Sequence, residues 1–345
     1  MAVDTSPRAK PRASRSTARL TAGLAIAALV IVALGLYSLT VGAKPVGLDT
    51  AIRFLGADDG TDLAYIVREI RLPRLYLGLA VGAGLGLAGA LMQALTRNPL
   101  ADPGLLGVEI GASTAVVIAI AVFGVVTPGG YVWFALAGAA ATSVVVYLLG
   151  SGGRGATPER MVLAGAAVTA VMTAFVGIIL LLDGQTFDRY RFWVIGSLAG
   201  RGFDVLWQTG PLLLLGAVIA LSLGRGLNAL ALGDEVGRAL GVQVERTRLA
   251  GALAVTLLCG AATAAAGPIA FVGLAVPHMA RVITGPDNRW VLAYSLFLAP
   301  ILVLGADITG RVVSAPGELE VGIVMALIGA PVFIALARRR RIAQL

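Results

Sequence analysis

The stretch LYLGLAVGAGLGLAGALMQALTRNPLADPG, residues 75–104, decides the fold. Its first part, 75–96, carries no charge. A bilayer core about 30 Å thick is crossed by roughly 20 apolar residues in a helix, so 75–96 has the length and character of one membrane span. Then come an Asn-Pro and an Asp-Pro. Each proline fixes φ, removes a donor and pushes the residue before it out of the helical region. Arg97, Asn98, Pro99, Asp102 and Pro103 therefore read as a rigid turn that ends one helix and starts another.

Working outward, the same pattern repeats. Charge-free runs occur at 20–43, 161–182 and 205–224, and the region 103–153 holds only Glu109 as a charge. That region is long enough for two spans, broken at Thr127-Pro128-Gly129-Gly130. The run 249–280, with Pro268 and Pro277 inside, reads as two spans meeting at a tight turn, and shorter runs at 290–306 and 321–337 complete the set. Of 345 residues, 58% are hydrophobic and 13% charged, where a soluble domain carries about a quarter charged. The expectation is an all-α polytopic membrane protein with about ten transmembrane helices over residues 20–337.

Lys and Arg set the orientation. Arg8, Lys10, Arg12, Arg15 and Arg19 precede the first run, and Arg338–Arg341 follow the last. An even number of spans puts both termini on one side, and with that side cytoplasmic two-thirds of the 27 Lys and Arg fall inside. Residues 1–19 read as a disordered basic cytoplasmic tail, and 338–345 as a second basic tail. This topology accounts for the +8 net charge, and no interleaving of aromatic and basic residues suggests nucleic acid. The first run exceeds a signal peptide's apolar core and reads as a retained helix.

Several chemistries are excluded. The lone His278 has no second His or Cys near it, so no metal site is expected. Neither Lys10 nor Lys44 follows a glycine, so there is no phosphate loop. Ion-coupled pumps keep acids inside their spans, and none of the runs has one near its middle apart from Glu109, close to a helix start. Nothing reads as catalytic. Gly82, Gly84, Gly86 and Gly89 read as close helix packing.

The informative residues lie at the two membrane faces. Inside, RGLNALALGDEVGRALGVQVERTR (225–248) is too polar to span and too patterned for a slack linker. Asp234 is a good N-cap, after which Val236, Ala239, Leu240 and Val242 fall at helical spacing while Glu235, Arg238, Glu245 and Arg246 point elsewhere. One or two short amphipathic helices are expected. A lipid-lying helix favours basic residues on its polar face and an aromatic on the other. Mixed charge and no aromatic favour a groove on a cytoplasmic partner instead. Outside, Arg71 and Arg74 in RLPR form a donor pair suited to carboxylates, although headgroup snorkelling is equally open. Arg311 follows Asp307 by one turn, so an intrahelical pair competes with an outer role there, and Glu318 and Glu320 stand close by.

With these residues in view, the sequence resembles the FecCD-type permease subunits of ATP-driven importers for iron-siderophore complexes, haem and cobalamin. The matching stretches are RLPR (71–74), GAGLGLAGALMQALTRNPLADPGLLGV (82–108), LGDEVGRALGV (232–242), GPIAFVGLAVPHMAR (267–281), the Ala306-Asp307 and Arg311 set, and ELEVGIVMALIGAPVF (318–333). Two departures stand out: Asn288 where the family commonly has histidine, and Glu320 where it commonly has proline.

The resemblance implies ten helices per subunit, a second permease subunit, and two ATP-binding cassette subunits that bind ATP and Mg, so that this chain is not itself an enzyme and holds no cofactor. It also implies a soluble substrate-binding protein docking outside on Arg71, Arg74 and Arg311. Leu232, Gly233, Asp234, Glu235, Arg238, Leu240 and Gly241 then match the element that couples to the ATPases. The expected location is the bacterial plasma membrane and the expected cargo a ferric siderophore, with haem or cobalamin as alternatives in the same class. An ion-coupled secondary transporter is the competing reading, and would follow an ion gradient without ATP.

Overall fold

A computed structural model describes residues 16–56, 59–151 and 158–338. Residues 1–15 and 339–345, nearly all of the two expected basic tails, lie outside the described residues. The described residues form helices and no strand. The helices are α1 (Thr17–Thr40), α2 (Leu48–Gly56), α3 (Asp62–Tyr65), α4 (Leu72–Thr96), α5 (Val108–Ala121), α6 (Pro128–Ser151), α7 (Pro158–Leu182), α8 (Gly184–Val194), α9 (Phe203–Ser222), α10 (Gly224–Ala231), α11 (Asp234–Ala239), α12 (Val244–Ala266), α13 (Val272–Thr284), α14 (Asn288–Val313) and α15 (Val321–Arg338). Thr17–Arg19, expected in the tail, already belong to α1, where Ser16 caps the helix through the Arg19 amide.

Seven helical stretches among the described residues are long and apolar enough to cross a membrane, and Val108–Ala121, Val272–Thr284 and Val321–Pro331 are shorter apolar helices. The span read at 75–96 is the end of a longer helical stretch, Asp62–Thr96, in which a π-helical turn at Ile66–Arg71 joins α3 to α4. RLPR therefore lies inside that stretch rather than at its start. Pro73 falls inside that stretch too, in the first turn of α4 just after the π-helical turn.

Helix α4 is the centre of the bundle, packed on α9, α12, α13 and α14. Its glycines make this possible. A Cβ on Gly86 would stand 2.7 Å from the Ser295 carbonyl oxygen of α14, and one on Gly89 would overlap the Gly273 carbonyl of α13. With no side chains between them the backbones touch, and dispersion replaces a hydrophobic drive that lipid does not supply.

The turn after α4 is tightly made. Arg97 adopts a left-handed backbone, φ 51°, and its N–H bonds the Gln93 carbonyl. The Asn98 side chain accepts from the Leu100 amide at 2.9 Å, and Asp102 accepts from the Gly104 amide at 2.8 Å. A single 3-10 turn, Pro103–Leu106, follows, and Gly107 at φ 71° leads into α5. Burial raises the Asp102 carboxyl above its ordinary pKa, against the Gly104 hydrogen bond.

Candidate functional site

The two ends of α4 each carry a charged cluster. At its first turn, three arginines converge. Arg71 Nη1 donates to the Leu39 carbonyl at 2.6 Å and Nη2 donates to that of Lys44. Arg311 Nη1 donates to the carbonyls of Ser38 and Val41 at 2.9 and 2.8 Å, and its Nη2 to the Ser38 hydroxyl at 2.6 Å. The carbonyls of Ser38, Leu39 and Val41 belong to the last turn and C-cap of α1, where a helix has no N–H donors of its own for them and cations are favoured. Two arginines distant in sequence thus cap one helix.

Arg74 and Arg311 also bracket Asp307, at 2.8 Å each, and Arg74 Nη1 reaches Glu318 at 2.6 Å. The Arg311–Asp307 pair is the intrahelical one that the spacing allowed. The three arginine residues and Asp307 are all under 8% exposed, whereas the Glu318 side chain is 32% exposed. The three arginines read as outer-face donors are therefore occupied within the chain, and Glu318 is the partner nearest solvent. A fourth arginine, Arg201, was not singled out by the sequence. It lies in the loop before α9, buried, with no partner at Nε. Burial pushes its pKa down, opposed by Tyr131, Glu320 and Asp204.

At the other end of α4 stand α10 and α11. The expected Asp234 N-cap is corrected: Gly233, at φ 106°, holds the cap position, and Asp234 is the first helical residue. Its carboxylate is turned sideways instead, taking Arg97 Nη2 at 2.6 Å on Oδ1 and Arg248 Nη2 at 2.9 Å on Oδ2. Asn228 of α10, also missed in the sequence, donates to Asp287 at 2.7 Å and accepts the Asn288 amide at 2.7 Å. Asp287 caps α14, and its hydrogen bond from Arg289 holds its pKa below the ordinary value. The two short helices are thereby tied to α4, α12 and α14. Leu227 and Leu230 of α10 are buried in the core, but Leu232, Val236 and Leu240 are 63, 45 and 62% exposed, and Glu235, Arg238 and Gly241 are exposed beside them.

Between the clusters, Gln93 of α4 is fully buried and donates to the carbonyls of Gly273 and Leu274 at 3.3 and 3.2 Å, while accepting from Arg281. A lone Gln in an apolar run was the signal for it. Cys259 is a buried free thiol, and no group of three metal-ligating residues occurs among the described residues.

A helical bundle with small-residue contacts at its centre, charged clusters at both ends and a partly detached apolar ledge at one of them is the architecture of an ABC transporter permease. The chain belongs to the FecCD transport family, whose model matches residues 29–339. It is 48% identical over 314 residues to the ferric enterobactin transport system permease protein FepD of Escherichia coli, covering 90% of this chain and 93% of that one. It is 41% identical to the siderophore transport system permease protein YfiZ of Bacillus subtilis, over 81% of this chain and 85% of that protein. Among solved structures, a metal-chelate type ABC transporter in an inward-facing conformation superposes with a TM-score of 0.82 and 27% identity, covering 92% of this chain and 99% of that one.

Proposed function

We propose that this chain is the permease of an ATP-driven importer for a ferric siderophore, crossing the bacterial plasma membrane ten times with both termini cytoplasmic. Seven long apolar helices and three shorter ones support that number. The Lys and Arg bias supports the orientation, and in this orientation α10 and α11 lie inside and the Arg74–Asp307 cluster outside. The observation that carries the cargo is 48% identity to a ferric enterobactin permease along nearly the whole length of both chains.

In this reading two permease subunits enclose the path and two ATPases sit beneath. Each ATPase receives the exposed ridge Leu232, Val236 and Leu240 in an apolar groove, with Gly233, Asp234, Glu235, Arg238 and Gly241 completing the coupling element. Closing of the ATPases on nucleotide displaces this ledge, and the turn at Arg97, Asn98, Pro99, Asp102 and Pro103 carries α4 and α5 as one rigid body. The two states must differ in their affinity for the nucleotide-bound ATPases, or no coupling exists. A binding protein docks outside, over Arg71, Arg74 and Arg311. Because these are already paired, docking through them proceeds by exchange: a partner carboxylate takes Arg74 in place of the half-exposed Glu318.

The test is reconstitution of the permease with its ATPases and binding protein in liposomes, with radioactive iron–siderophore outside. ATP-dependent accumulation is expected. Accumulation by the purified chain alone, driven by a proton or sodium gradient, would sink the proposal.

A further inference from the structure

Helix α11 is poorly anchored by packing. It has six residues, of which only Gly237 is buried, and it is flanked by Gly233 and Gly241 at φ 106° and 82°. Nothing lies within 4 Å of a Cβ placed on either glycine. Two open glycine joints make a hinge on each side, so a force applied to α11 would be absorbed by rotation unless something else holds it. Asp234 is what holds it. Its Oδ1 takes Arg97 from the end of α4 and also Arg248 Nη2 at 3.0 Å, while Oδ2 takes Arg248 at the start of α12. Arg97 and Asp234 are 137 positions apart in the chain.

We propose that Asp234 is a positioning residue that clasps α11 to α4 and α12 together, so that a displacement of α11 moves both helix ends as one unit. The proposal rests on the importer reading above. A cavity of about 40 Å³ lies against Arg248, walled by Met92, Leu95 and Thr96 of α4, by Ala252 of α12 and by Met161 of α7. A lone surface ion pair contributes little, but a carboxylate shared between two arginines fixes direction as well as distance.

The experiment uses the complete transporter in liposomes and reads siderophore taken up per ATP hydrolysed. D234N and R97Q should each lower that ratio by about tenfold, within the usual range of coupling between sites. The double variant should fall no lower than the worse single one, since both break one clasp, and D234E should recover most of the ratio. In a Cys259→Ala background, spin labels at exposed Leu100 and Leu163 should report a nucleotide-dependent distance change that D234N abolishes, a readout that does not depend on transport yield. Wild-type coupling in D234N, multiplying losses in the double variant, or loss of the ATPase from the purified D234N complex would each overturn the clasp. Failure of the unsubstituted complex to transport with ATP overturns the importer reading and the clasp with it, whereas a transporting complex insensitive to D234N overturns the clasp alone.

Discussion

Arg74 and Asp307, 233 residues apart in the chain, form a buried ion pair with Nε 2.9 Å from Oδ1. The pair joins the first turn of α4 to the last turns of α14, and Asp307 also serves Arg311. One carboxylate is shared by two guanidiniums inside a bundle where unpaired charge is very costly.

Removing that carboxylate takes away the ion-pair partner of Arg311 and leaves Arg74 with Glu318 alone. Asp307→Ala should destabilise the protein by roughly 3–5 kcal/mol, the cost of breaking a buried pair from one side. Thermal unfolding of the detergent-solubilised chain measures it, and a wild-type midpoint would count against the burial described here.

Close backbone contact at Gly89 makes a sharp contrast with Gly177. Gly89→Leu should abolish accumulation of folded protein, because the side chain would occupy the Gly273 carbonyl; Gly177→Ala meets nothing within 4 Å and should leave yield unchanged. Size-exclusion profiles of the two variants settle this, and a monodisperse Gly89→Leu protein would refute the packing.

Leu240 is 62% exposed on the ledge. Leu240→Asp should leave the permease folded and reduce ATPase co-purification, since a charge at the centre of an apolar contact is not compensated. Undiminished co-purification would remove Leu240 from that interface.

Glu318 occupies one edge of Arg74 and reduces the positive charge of the outer cluster. Glu318→Gln should speed docking of the binding protein several-fold at low salt, with the gain shrinking as salt rises. Surface plasmon resonance on nanodisc-held permease gives the rate, and no change would discard the exchange step.

Asp287 has its pKa lowered by Arg289 and Asn228. Its contribution is present above the unfolded carboxyl pKa, about 4, and is lost as pH falls through the lower folded value. Asp287→Asn should therefore lower stability at neutral pH and flatten the acid limb of the unfolding curve, leaving the two proteins alike below that window.

The sequence by itself determined the membrane class, most helix positions and the two charged ends, because a span must be about 20 apolar residues long and the turns between spans need proline, glycine and charge. The turn at 97–104 and the amphipathic ledge at 225–248 were legible for the same local reason. What only the tertiary structure decided is who meets whom. That Arg71 and Arg311 cap α1, that Asp307 serves two arginines, that Gln93 holds α13, and that Asp234 abandons its cap for Arg97 and Arg248 all depend on contacts between residues far apart in the chain. A charged group's role follows from its burial and its nearest opposite charge, and periodicity along one helix contains neither.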